Sequence, residues 1–467
     1  MTMHWMSLRL LLAAAVMISS TVSPATAADF SLPDIGDSAG VYISPTQERR
    51  LGQAFMRSVR ASSKVVDDPL LEDYIRRLGR KLAGTSDAKG QSFDFFLVKD
   101  PTINAFAGPG GHIGVHTGLI LAAETESELA AVVAHEIAHV SQRHIARMIE
   151  AANTMSVPSA AVLLAAVLLG AAAGGDAAMA AAVGGQAALL QQQINFTRAN
   201  EQEADRIGMQ ILSKSSFDPR AMPVFFQRMG RADRTSGITL PEFLRTHPVS
   251  TSRIADSLGR AEAYPYRQAP ESLQYHLLRA TLRVDRPANP KTAVEQFQST
   301  LRDGRYRNRE AEEYGHSLAL MKAGNIREAR SRTDALLKKS PREPSYIILS
   351  ARLHKKEGSN TRALQVLRNG LKKLPNNYPV SVVTADILMT SGKASEAHAL
   401  LKKLVSREPG DPRIRQLSAR AAASLGKKAE SHEQLAEYHY LNGELDAAIQ
   451  QLEIANRLSG LGFYERS

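Results

Sequence analysis

His135-Glu136-Ile137-Ala138-His139 lies in a run, Leu129 to Val140, whose apolar residues Leu129, Val132, Val133, Ile137 and Val140 return every three to four positions. That period describes a helix with one apolar face. Residues four apart stand one above the other on a helix. His135 and His139 therefore present their imidazoles on one side, close enough to share a single Zn2+. Glu136 adjoins the first imidazole, where it can move a proton from a water to a leaving amine. Three fixed positions recur by chance roughly once in fifteen to twenty chains of this length. Two surface histidines flanking a salt-bridging glutamate are the alternative, so the motif needs a second support.

That support follows 62 residues after His139, in Asn200-Glu201-Gln202-Glu203-Ala204-Asp205. Without cysteine in the chain, a metal must be held by His, Asp or Glu. Glu201 and Asp205 are four apart on a helical stretch and share a face. Glu201 supplies a third ligand, leaving a fourth position open, as hydrolytic zinc sites require. Asp205 can accept from a ligating imidazole and fix its orientation. An exposed acidic helix face is the plain alternative for this cluster taken alone.

His-Glu-Ile-Ala-His followed by Asn-Glu-Gln-Glu-Ala-Asp resembles the zinc peptidases of the M48 class, whose third ligand is the first Glu of a Glu-x-x-Ala-Asp sequence. The resemblance implies a mainly α protein: a zincin-like α+β metallopeptidase domain with a small sheet, bound to one Zn2+ per chain. It implies His135, His139 and Glu201 as ligands and Glu136 as the catalytic base. Asp205 then carries either a proton-donor or an orienting role. In one branch of the class, a His-Pro histidine occupies the open metal position and holds the enzyme latent, or stabilises the transition state once displaced. Thr246-His247-Pro248 matches that pattern, against the plain reading of a loop histidine.

Upstream, apolar spacing predicts helices within 40–90, a strand at 93–98 and an extended segment at 103–107 that ends in Gly108-Pro109-Gly110-Gly111. Asn104-Ala105-Phe106-Ala107 resembles the edge strand that pairs with extended substrate in these peptidases. Asn104 is either a donor to the oxyanion or a turn-forming Asn. The other nearby histidines, His112, His116 and His144, have no ligand spacing and are expected to be solvated or locally bonded. Residues 151–197, dominated by Ala, Gly, Val, Leu and Gln with Asp176 the one charge, read as a mobile lid beside the site. An interfacial membrane contact through 157–190 is the alternative.

Downstream, Gly324, Gly358, Gly392 and Gly426 are each 34 residues apart, as are Ala329, Ala363 and Ala397, and Pro341, Pro375 and Pro409. That period with those residue types is the tetratricopeptide signature. The peptidase-like domain is expected over 40–265 and an α-solenoid over 270–460, with Gly443 and Ala447-Ala448 in a terminal cap.

The 467 residues carry 58 Lys+Arg against 47 Asp+Glu, a formal charge of +11. No run of five basic residues and no aromatic-basic module accompanies that excess, so nucleic acid is not an expected partner. Arg9, the apolar run Leu10 to Ile18, and Ala25-Thr26-Ala27-Ala28 form a secretory signal, with 1–27 removed on export. The export signal, the Ala/Gly-rich insertion and the repeat array narrow the resemblance to a periplasmic branch. There it implies misfolded or stalled outer-membrane β-barrel proteins and their assembly complex as partners, held by the repeat array. A non-catalytic chaperone or scaffold with a silenced zinc site is the rival reading. Retention of Glu136 argues against it, since a structural site needs no base.

Overall fold

The computed structural model describes residues 44–62, 65–88, 90–148, 198–236, 242–266 and 269–459. The expected signal peptide (1–27) and the insertion at 151–197 lie outside these residues.

Two helices open the described chain, α1 (Pro45–Ser62) and α2 (Pro69–Ala83). Asp68 caps α2 by accepting from the amides of Leu70 and Leu71, and Pro69 supplies the preset φ of a first helical residue. Leu71, Ile75, Leu78 and Leu82 are buried along one face of α2, which covers a three-stranded sheet. Its strands are β1 (Asp94–Val98), β2 (Ala105–Ala107) and β3 (His112–His116), in the order β1-β3-β2. β3 pairs parallel with β1 and antiparallel with β2, so β2 is an edge strand.

After the short α3 (Thr117–Ala122) comes α4 (Glu126–Ser141), which carries the His-Glu-x-x-His residues. Thr125 caps it by accepting from the Glu128 amide, and the Glu128 carboxylate reaches back to the Glu124 amide at 2.6 Å. Arg143, at φ 52°, leaves the helical region just beyond its end. The expectation of one apolar face is too narrow here. Every residue from Glu126 to Val140 is buried, because β2 and β3, α2, α5 (Arg198–Lys214) and α6 (Ala221–Ser236) surround the helix. Two short helices, α7 (Glu242–Thr246) and α8 (Thr251–Glu262), complete this half.

The second half is a run of antiparallel helical pairs. α9 (Leu273–Asp285) and α10 (Pro290–Arg302) precede the periodic units α11 (Arg309–Lys322) with α12 (Ile326–Lys339), α13 (Pro344–Lys356) with α14 (Asn360–Lys373), and α15 (Tyr378–Thr390) with α16 (Ala394–Arg407). α17 (Pro412–Ser424), α18 (Lys428–Leu441) and α19 (Leu445–Ser459) end the array. The repeated glycines stand at φ between 71° and 88° just past the first helix of each unit. Space does not demand them, since a Cβ at any of the four meets nothing within 4 Å; the left-handed conformation does. Ala329, Ala363 and Ala397 are fully buried where paired helices touch.

The halves are joined by buried polar contacts. Glu126 accepts from Tyr74 Oη at 2.8 Å and from the amide and hydroxyl of Ser272 at 2.6 and 2.7 Å. Ser272 in turn caps α9. Glu72 on α2 meets Arg413 at 2.8 Å and the Tyr378 hydroxyl at 3.2 Å. The array surface expected to hold a client is thus partly taken by α2.

Candidate metal centre

Close approach of α5 to α4 builds the site. Glu201, Asp205 and Gly208 share one face of α5 at spacings of four and three. A Cβ on Gly208 would stand 2.9 Å from the end of Met222 and 3.2 Å from the His135 backbone nitrogen, so glycine eases the close approach of the helices beside the first imidazole.

Four side chains converge there: His135, His139, Glu201 and His247, all buried, with ligand atoms within 4.8 Å of one another. His135 Nε2 lies 3.0 Å from His139 Nε2, 3.5 Å from Glu201 Oε2 and 3.4 Å from His247 Nδ1. Glu201 Oε1 lies 3.5 Å from His139 Nε2 and 3.0 Å from His247 Nδ1. Zinc bonds of about 2.0–2.1 Å at tetrahedral angles hold ligand atoms about 3.3–3.4 Å apart. The donor set suits a cation in chemistry, and the quoted separations of 3.0–3.5 Å are near those a zinc ion needs.

His247 reaches the cluster because α7 ends at Thr246 and Pro248 prevents the helix from continuing. The His247 amide donates to the Phe243 carbonyl at 2.8 Å, and the Phe243 ring stacks on the imidazole at 5.1 Å between centroids. The Phe243 amide donates to the Ile103 carbonyl, tying α7 to the segment that enters β2.

Glu136 is fully buried on the same helix turn, with Oε1 3.5 Å from His247 Nε2. Burial pushes its carboxyl pKa up, against the lowering pull of His247, His135 and the Ala107 amide on β2. Glu201 goes the other way: despite burial, His247 and His135 hold it well below the ordinary carboxylate range.

Each imidazole of the motif has a fixed neighbour behind it. His135 Nδ1 lies 3.0 Å from Asp205 Oδ1. Asp205 is buried yet held low by His135 and by Arg253, whose Nε and one terminal nitrogen each donate to it at 2.8 Å. His139 Nδ1 lies 2.8 Å from His144 Nδ1, and His144 Nε2 lies 3.2 Å from Glu203. With Nε2 of His139 turned to the cluster, Nδ1 carries its hydrogen and donates to His144. His144 then keeps its own hydrogen on Nε2, where Glu203 accepts it. The His144 hydrogen bond, opposed by burial and aided by Arg147, brings Glu203 to about 2.

His144 and His116 are therefore locally bonded but not solvated. Both are buried, and His116 Nδ1 lies 2.8 Å from the Thr102 hydroxyl. His112, half-buried, pairs with Asp94 at 3.1 Å. Asn104 is fully buried, and neither of its side-chain amide atoms has a hydrogen-bond partner among the described residues. Sequence reasoning missed Arg253, His144, Glu203 and Gly208. Arg253 sits in a polar segment that reads as an exposed helix face, 48 residues after Asp205. Only Gly208, seven after Glu201 on the same face, left a readable signal.

Residues 69–261 match the model of peptidase family M48, and residues 355–421 match a tetratricopeptide repeat model. The beta-barrel assembly-enhancing protease of Escherichia coli K12 is 36% identical over 362 residues, 76% of this chain and 73% of that protein. The chain belongs to peptidase family M48. The protein of the same name from Yersinia pestis is 34% identical over 350 residues, 75% of this chain and 71% of that one. The mitochondrial metalloendopeptidase OMA1 of Arabidopsis thaliana is 31% identical over 190 residues, covering 41% of this chain and 36% of its own. As an M48 member this is a metallopeptidase, with a repeat array behind its catalytic half. Among the described residues no helix is long and apolar enough to cross a membrane.

Proposed function

We propose that this M48 peptidase is a zinc-dependent endopeptidase, held latent by His247, that acts on misfolded or stalled outer-membrane β-barrel proteins in the periplasm. The observation that carries the zinc reading is the buried cluster of His135, His139, Glu201 and His247 with Glu136 beside it. Three imidazoles and one carboxylate gathered in a buried cluster suit Zn2+. Bound there, zinc supplies an acidified water and a polarised scissile carbonyl.

The protein residues supply the rest. Glu136 takes the proton of the attacking water and returns it to the leaving amine; a carboxyl raised by burial suits both transfers. Asp205 and His144 keep His135 and His139 turned inward. His247 stands where a water or a substrate carbonyl has to bind, so its withdrawal precedes cleavage.

Substrate backbone is received by β2. The pairs Gly108–His112 and Asn104–His116 exchange hydrogen bonds across β2 and β3 at 2.7 and 3.0 Å. By alternation Phe106 faces β3 as well, while the peptide groups of Ala105 and Ala107 point to the unpaired edge. An extended chain laid along that edge gains main-chain hydrogen bonds whatever its sequence. Unfolded barrel strands are such chains. Buried Asn104 beside this edge is assigned as a donor to the developing oxyanion. The repeat array holds the client or its assembly complex on surface that α2 leaves open, and the relatives' name supports that partner class.

The test is proteolysis of an unfolded outer-membrane barrel protein by purified wild type and Glu136→Gln, each assayed for metal. Both should hold about one zinc, and the variant should lose at least about 10²-fold in kcat. A chelator should silence wild type and added zinc restore it. Unchanged cleavage by Glu136→Gln would sink the mechanism. A metal-free protein of full activity would sink the zinc assignment.

A further inference from the structure

The guanidinium of Arg253 is almost fully buried and makes contacts in three directions. Nε and one terminal nitrogen clamp both oxygens of Asp205 at 2.8 Å. The other terminal nitrogen lies 2.8 Å from Glu201 Oε2 and also donates to the Pro248 carbonyl at 2.8 Å. One nitrogen thus touches a residue of the metal cluster and the backbone directly after His247. Its placement is local in origin: Ser250 caps α8 by accepting from the Arg253 amide, which fixes the first turn of that helix only six residues beyond His247.

We propose that Arg253 is a positioning residue that latches the His247–Pro248 segment to the Glu201–Asp205 face of α5, and so sets how readily His247 leaves the cluster. The proposal rests on the latent-peptidase reading above. Three physical points carry it. A planar fork with five N–H groups can serve a bidentate carboxylate, a second carboxylate and a carbonyl together, which an ammonium cannot do in that geometry. The two carboxylates balance a buried cation, so the arginine is anchored on α5 and the Pro248 carbonyl is the dependent partner. A movement of the His247 backbone out of the cluster carries the Pro248 carbonyl away from the fork, because the two residues are joined through one rigid peptide unit.

Arg253→Lys separates latch from support, keeping a cation beside Asp205 while removing the fork that reaches Pro248. Two readouts are taken on the full-length, zinc-loaded chain. The first is amide exchange of His247, whose N–H is held by the Phe243 carbonyl. It should quicken by about tenfold or more in Arg253→Lys, one lost hydrogen bond from a charged donor being worth about 1.5 kcal/mol or more. The second is kcat and KM in four proteins: wild type, Arg253→Lys, His247→Ala and the double variant. Arg253→Lys should raise kcat when His247 is present, and that rise should be absent when His247 is Ala.

Equal loss of kcat in both backgrounds, with zinc retained and unchanged exchange at His247, would overturn the latch and leave Arg253 as a support of Asp205. If Arg253→Lys does not fold, Arg253→Gln takes its place, judged by the same exchange measurement. If no protein cleaves any substrate, the peptidase reading fails. The exchange of His247 still decides the latch separately.

Discussion

His247 Nδ1 lies 3.0 Å from Glu201 Oε1 while its Nε2 lies 3.5 Å from Glu136 Oε1. One imidazole therefore touches Glu201 with one nitrogen and approaches Glu136 with the other. A ring in that position excludes water from both partners of the hydrolytic step. His247→Ala should accordingly raise kcat on an unfolded substrate several-fold, with zinc still bound by the three remaining ligands. Lower kcat at full zinc occupancy would instead give His247 a transition-state role.

His144 tests the support behind the second imidazole of the motif. His144→Phe removes the acceptor that lies 2.8 Å from His139 Nδ1. Loss of such an outer partner costs about 10–100-fold in metal affinity. Competition with a zinc chelator should register that weakening. Glu203→Gln, one bond further out, should weaken binding less. Equal affinity in His144→Phe and wild type would remove His144 from the site.

The side of β2 that faces away from β3 can be tested with proline. The Ala105 N–H points away from β3, so Ala105→Pro removes no ladder hydrogen bond. The melting temperature should fall less than in Phe106→Pro, whereas KM for extended substrates should rise about tenfold, roughly 1.4 kcal/mol, as a main-chain contact is lost. Phe106→Pro, which breaks a bond to β3, should lower the melting temperature. Unchanged KM in Ala105→Pro would exclude β2 as the substrate strand.

The joint between the halves should be sensitive at Arg413. Its guanidinium pairs with Glu72 at 2.8 Å and also meets Asp67, and both Arg413 and Glu72 are largely buried. Arg413→Ala leaves the Glu72 carboxylate without its main cation, a loss of about 3 kcal/mol or more for a broken buried pair. Amide exchange in α2 and α17 should rise together, ahead of exchange in α4. Exchange rising everywhere at once would mean the halves do not separate as units.

Much of this protein is legible in local sequence. Three residue types recurring every 34 positions specify helical pairs that stack on their neighbours, because each contact in such an array is made within one or two units. His135, Glu136 and His139 are equally local: a single helix sets their spacing, so the motif states its own geometry. Glu201 and Asp205 required pairing two helical faces, and the spacing of four on each face was enough to suggest it.

What the sequence alone determined, then, is whatever a helix period or a 34-residue period encodes: the motif, the paired acidic helix and the array. Tertiary structure alone decided the rest. It placed Arg253, His144 and Glu203 behind the buried cluster, brought His247 to that cluster, and turned the Ala105 and Ala107 peptide groups away from β3. It also laid α2 against the repeats. The reason is physical: these relations join residues tens to hundreds of positions apart, and their energies come from burying charges that must find partners. A buried arginine and a surface arginine look alike in sequence. Only the packed neighbours tell them apart.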